Sequence, residues 1–242
     1  MRMELRALPE DFARTRDSLH QLAFYVISPA RYLITGRMGL VSVAPGFGTP
    51  PIDGRTICVD GDRIVDRQGD QSASRPITTL GDAAEFVGIE YDETWFTDFH
   101  DPLAPVGVTT PLDVSPDSSL CIGALFAFAW DVLAEVKGRV GDSGAPSDTQ
   151  LWPEHFDAAT EIGDEAAGER ASFGVSLGDG GHSEPYLYVS PWNKERARGD
   201  FWNDASFGGA SLTYGRLLSA SDPAREAVEF FATGAASLAG SS

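Results

Sequence analysis

Two runs of alternating residues, Ala171–Leu177 and Pro185–Trp192, constrain this chain more than any other feature. Successive side chains of a strand point to opposite faces of a sheet. In the first run Ala171, Phe173, Val175 and Leu177 share one face, with Ser172, Gly174 and Ser176 on the other. In the second, Leu187 and Val189 oppose Tyr186, Tyr188, Ser190 and Trp192. Gly178-Asp179-Gly180-Gly181 between the runs is a hairpin-type loop. A sheet built this way has an apolar face that helices must cover. Its other face sets small residues beside hydrogen-bonding rings, which leaves room for a ligand or for another layer of protein. Aromatic walls with a few convergent polar groups are the usual lining of small-molecule sites.

The covering helices are legible. Ser115 is a cap, Pro116 a first helical residue and Asp117 a first-turn acid, so a helix runs from there to about Val136. Ile122, Leu125, Phe126, Ala129, Val132, Leu133 and Val136 face inward on a broad arc, which makes this helix a central support. Ser221-Asp222-Pro223 starts a last helix through Ala227, Val228, Phe231 and Leu238. A first helix occupies about Asp11 to Ile27, with Pro29 ending it and His20 beside its apolar stripe. Thr79 caps a short helix from Leu80 to Val87. Short strands fill the region between: Thr56–Val59 and Arg63–Val65 flank Asp60-Gly61-Asp62, a hairpin signal. Pro45–Pro51 carries too many breakers for a strand, and Gln68–Ser74 reads as a polar loop. Asp98-Phe99-His100-Asp101 reads as part of a solvated acidic connection. The sum is an α+β fold with antiparallel sheet in both halves, backed by the central helix and the two terminal ones. Gly141–Ser147 is the best linker signal, dividing an N-terminal half (1–140) from a C-terminal half (148–239) that carries the candidate site, with one compact unit of both halves as the alternative.

Charge narrows the function. At a formal net charge of -18 the chain repels phosphate backbones and anionic lipid, so nucleic acid and membrane surfaces are excluded as partners. The expected ligand is a small molecule, neutral or cationic. The longest apolar run, Leu120–Trp130, falls short of the roughly 20 residues a bilayer needs, and the N-terminal residues lack a signal-peptide core, so a cytoplasmic location is expected. Cys58 and Cys121 stand far apart in apolar settings and are read as buried thiols. Gly46-Phe47-Gly48 is no phosphate loop, since no helix start or lysine follows it. There is no nucleotide or haem motif.

The chemistry concentrates in Leu151–Trp192. If residues 151–157 are extended, Trp152, Glu154 and Phe156 share one face, with His155 and Asp157 on the other. The candidate catalytic residues are His155, Asp157, His182 and Glu184, with His155 oriented by Asp157 and Glu184 or Asp179 as the partner acid. The candidate ligand-binding residues are Trp152, Ser176, Asp179, Tyr186, Tyr188, Trp192 and Asn203. The same two histidines and two carboxylates form the alternative of a divalent-metal site, although no HExxH is present and an i, i+2 spacing is a weak signal. A nucleophilic triad lacks its GxSxG. The competing reading is a non-catalytic structural or interaction protein. Its His and Asp pairs would be core hydrogen-bond networks, and Trp192, Phe201 and Trp202 around Lys194–Arg198 would form an interface.

Leu151-Trp152-Pro153-Glu154-His155-Phe156-Asp157, Gly178-Asp179 and Glu184-Pro185-Tyr186-Leu187-Tyr188 resemble the core motifs of bacterial families of unknown function. Those families carry a Trp-Pro-x-His-Phe-Asp segment, then Gly-Asp and Glu-Pro-Tyr-x-Tyr segments. The resemblance covers about residues 150–238. It implies a soluble bacterial protein with a shared core, and no activity. Several members have a second histidine where this chain has Glu154, which weighs against a histidine-rich metal site.

Overall fold

The computed structural model describes residues 5–95 and 103–239, so Asp98-Phe99-His100-Asp101 lies outside the described residues. The fold is α+β, with two five-stranded antiparallel sheets. One runs in the order β1 (Val41–Val43), β2 (Gly46–Gly48), β3 (Arg55–Asp60), β4 (Arg63–Gln68), β5 (Gln71–Pro76). The other runs from β10 (Ala210–Thr213) through β9 (Tyr186–Pro191), β8 (Ala171–Ser176) and β7 (Asp157–Ile162) to β6 (Gln150–Trp152). The helices are α1 (Phe12–Leu22), α2 (Ser28–Thr35), α3 (Leu80–Val87), α4 (Pro116–Val140), α5 (Tyr214–Ser219) and α6 (Pro223–Ala239). Contacts divide the chain into two units, one of Leu8–Ala127 with Leu151–Phe156, the other of the N-terminal residues through Ala7 with Phe128–Gln150 and Asp157 onward.

In the first unit the N-terminal helix does not stop at Pro29. A π-helical turn, Ala23–Ile27, joins α1 to α2, and the Ser28 N–H donates to the Ala23 carbonyl five residues back. The wider turn rephases the ladder, so Pro29 falls in the first turn of a new α segment, where a missing N–H is tolerated. Gly36, at φ 66°, ends α2 in the left-handed conformation. Thr79 caps α3, its hydroxyl accepting from the Asp82 N–H. Gly46-Phe47-Gly48 is a strand despite its breakers, because the glycines permit close backbone approach. A Cβ on Gly46 would stand 2.3 Å from the Val59 carbonyl oxygen, and one on Gly123 of α4 only 1.8 Å from that of Pro45. Phe47 then packs edge-on against Phe126 and Phe156, with centroids 5.8 and 5.1 Å away. The Gln68–Ser74 loop reading also gives way: β5 pairs with β4 from Gln68↔Gln71 to Arg63↔Pro76. It is exposed at every position, so it lacks the alternation that reveals a half-buried strand. Both cysteines are buried.

In the second unit the two alternating runs form β8 and β9, and Gly174 pairs with Tyr188. Val189 abuts Gly234 of α6, and Phe173 meets Phe231 edge-on at 6.1 Å. Phe173, Val175, Leu187 and Val189 are all buried, each contributing about 1.5–3 kcal/mol on that side of the sheet. The Gly141–Ser147 stretch is no free linker: Gly163 N–H donates to Gly144 O, and Ser147 bonds Glu161 in both directions. Among the described residues α4 is long and apolar enough to cross a membrane, but most of that apolar length is buried inside the protein.

Candidate functional site

The polar face of the second sheet is best described as rows across four strands. The first row is Asp157, Ser176, Tyr186, Thr213; the second is Ala159, Gly174, Tyr188, Ser211; the third is Glu161, Ser172, Ser190. Gly174 is the floor position that the alternation marks as open. In the structure it is covered, since a Cβ there would stand 2.5 Å from the Tyr188 ring. Tyr188 thus lies over its cross-strand glycine, a pairing that shields a bare strand backbone. Its hydroxyl donates across β8 to Asp157, whose carboxylate is 3% exposed. The small residues make space, and the protein's own tyrosine fills it.

Beyond the sheet edge, residues 177–185 fold around Asp179. One carboxylate oxygen accepts the N–H groups of Gly181 and His182, at 2.7 and 2.9 Å, and the other accepts the Tyr186 hydroxyl at 2.5 Å. Burial works to raise the Asp179 carboxyl, but these bonds outweigh it and hold the group below the usual carboxylate range. Burial, then the Asp179 carboxylate, push the Tyr186 hydroxyl well up. The His182 ring stacks on Tyr186 at 4.1 Å, with Nε2 2.8 Å from Asp204 Oδ2 and Nδ1 3.5 Å from Asp179 Oδ1. Asp204 sits at the mouth of a tight turn, exchanging both backbone bonds with Gly209 and accepting from the Ser206 N–H and hydroxyl. There too burial acts to raise the carboxyl, but the Ser206 hydroxyl and the bonds after it win, so the group is held low.

The structure therefore brings Asp179, His182 and Tyr186 together, adds Asp204, and joins Asp157 to Tyr188 in the next row. It does not assemble the other candidates. Residues 151–157 are not continuously extended: a turn at Pro153–Phe156 interrupts them, with Phe156 at φ 51°, so the shared face for His155 and Asp157 is lost. His155 is exposed on that turn, while Asp157 is buried at the start of β7. Glu184 is exposed in its loop, Trp152 is half-buried, and Ser176 uses its hydroxyl to accept the Gly178 N–H. Asn203 clamps its loop to β10, exchanging bonds with Ser211 at 2.8 and 3.1 Å. Trp192 is 48% exposed under the Arg170 guanidinium, which lies 5.7 Å from its ring, whereas Phe201 and Trp202 are half-buried. Among the described residues no three His, Cys, Asp or Glu side chains converge as metal ligands would.

Two functional groups escaped the pattern. Asp204 stands 22 residues from His182, in a loop without periodicity, and only its helix-free, serine-flanked turn signals a capping carboxylate. His20 looks like a surface histidine, yet in the first unit its Nε2 lies 2.9 and 3.2 Å from the carbonyls of Pro153 and Glu154. Carbonyls only accept, so Nε2 carries a proton. The ring stacks on Phe156 at 5.3 Å and 7°, and burial lowers its pKa to about 4.

Compared with known proteins, the chain matches no family model, no curated protein and no solved structure.

Proposed function

We propose that this is a non-catalytic interaction protein, in which the Asp179–His182–Asp204 and Tyr188–Asp157 groups fix the shape of a partner-binding face. One observation carries the reading: both nitrogens of the His182 ring face protein carboxylates, Asp204 at 2.8 Å and Asp179 at 3.5 Å. A general acid or base must present one of those nitrogens to a substrate. Gly174, the floor of a supposed pocket, lies under Tyr188, which argues against a small molecule seated there. What the face offers instead is a pinned, polar platform with Trp192 beside it, half exposed and backed by Arg170. An exposed Trp next to Arg is the type of side chain that anchors interfaces. The net charge of -18 suits a neutral or basic partner. The same reading makes the chain a soluble protein of the bacterial cytoplasm.

The test is the stability of His182→Gln and Asp204→Asn in urea. A residue held for structure costs stability when its bonded partner is left unpaired, about 1–3 kcal/mol here. Active-site residues are commonly replaced at no cost or with a gain in stability. Lower midpoints in both variants support the proposal. An unchanged or raised midpoint for His182→Gln would overturn it in favour of an acid–base site.

A further inference from the structure

Beside the π-helical turn of the first unit is a cavity of about 430 Å³, lined by Tyr25, Leu33, Glu90, Tyr91, Asp92 and Trp95 among others. Its size falls within the range of small-molecule sites. Three of these lining residues are aromatic and two are carboxylates, and among the described residues none of the lining side chains is basic. The Tyr25 and Tyr91 rings stand 6.0 Å apart, tilted by 45°, and Trp95 is braced edge-on by Tyr32 at 5.3 Å. Glu90 and Asp92 are exposed, whereas Tyr25 is buried.

The hydrogen bonding of these walls selects among ligands. Both tyrosine hydroxyls are committed as donors to backbone carbonyls, Tyr25 to Leu103 and Tyr91 to Val106. Both bonds given to Asp92 fall on Oδ1, from the N–H and hydroxyl of Thr94, and the Thr94 hydroxyl, then its N–H, hold that carboxyl low and ionised. The cavity therefore offers ring surfaces and negative charge. Its carboxylates could also pair with a guanidinium, but with both tyrosine hydroxyls engaged the rest of the wall is ring surface. Aromatic rings with nearby carboxylates are the surroundings that favour an alkylated ammonium, a cation with diffuse charge and few or no donors. Tyr25 also sits within the π-helical turn, a distortion that recurs at functional sites.

We infer that this cavity is a binding site for a small methylated-ammonium ligand, held by the Tyr25, Tyr91 and Trp95 rings and by Glu90 and Asp92. The inference stands on the first unit alone and does not rest on the partner-binding face.

Calorimetry on the full chain tests it, with choline and tetramethylammonium as probes and 3,3-dimethylbutan-1-ol as the uncharged analogue of choline. Both cations are expected to bind saturably, and the alcohol at least about tenfold more weakly, the difference lying in the cation–π and charge contributions. Trp95→Ala is expected to weaken choline about tenfold, and Glu90→Gln severalfold with a flatter dependence on salt. Glu90 is exposed, so its variant keeps the test interpretable even where Trp95→Ala fails to fold. No saturable binding of either cation would overturn the inference, as would equal binding of the alcohol or Glu90→Gln binding choline like the wild type at every salt concentration.

Discussion

Acidification should expose His20, and the size of the effect follows from its surroundings. The ring is neutral at pH 7.5 and gives its one proton to the carbonyls of Pro153 and Glu154, so a second proton would have to be carried in a partly buried position against Phe156. Burial lowers its pKa to about 4, the carbonyl bonds and Asp17 working in the opposite direction and His155 adding slightly to the lowering. In the unfolded chain the same group titrates near 6.5. As the pH falls through 6.5, the unfolded chain gains a proton that the folded chain refuses, so stability is lost. Between pH 7.5 and 5 the loss comes to about 2 kcal/mol, approaching about 3 kcal/mol below pH 4. His20→Gln keeps a donor in the same place and does not titrate. Urea unfolding of both proteins at the two pH values isolates the contribution, because every other titrating group is shared. The wild type should lose about 2 kcal/mol more than the variant. Parallel losses would show that the ring is not held neutral, and the account of His20 would be wrong.

Other perturbations have defined outcomes. Gly174→Ala places a Cβ 2.5 Å from the Tyr188 ring, which must swing away from Asp157; a loss of about 1–3 kcal/mol is expected in urea. Tyr188→Phe keeps the ring over Gly174 but leaves the buried Asp157 without that donor, costing about 1–3 kcal/mol in the same assay. Gly123→Ala meets the Pro45 backbone oxygen at 1.8 Å, with no flexible neighbour to give way, and should cost at least about 3 kcal/mol or abolish soluble expression. A calorimetric melt that places the Gly123→Ala transition at the wild-type temperature would contradict the packing of α4 on that hairpin.

Much of this fold was legible because its signals are local. The cap of α3, the Pro116 start of α4 and the alternation of β8 and β9 belong to neighbouring residues whose preferences agree with the final structure. The readings that failed did so where the deciding contact is distant or where burial is absent. Pro29 ends a helix by local rules, but the π turn before it makes a place for it. Gly46-Phe47-Gly48 becomes a strand only because another strand and a helix approach it closely. β5 buries no face and so leaves no periodic trace. At the candidate site, Asp179, His182 and Tyr186 lie within eight positions, so each could be named as a candidate, although the sequence sets His182 with Glu184 rather than with these two. Asp204 arrives from a separate loop, and His155 leaves because the chain turns at Phe156.

The π turn at Ala23–Ile27 also bears on how this chain tolerates changes in length. Removing one residue from it would restore ordinary α spacing, and four α residues sweep nearly the same angle as the five residues of the wider π turn. The residues after the deletion would then keep nearly their present orientation relative to α1, so the faces of α2 would point as they do now. Pro29 would meanwhile fall back into the interior of one continuous helix, where its ring has no place. At this one position a missing residue leaves the direction of the following faces alone, and its consequence is the loss of the gap that admits a proline.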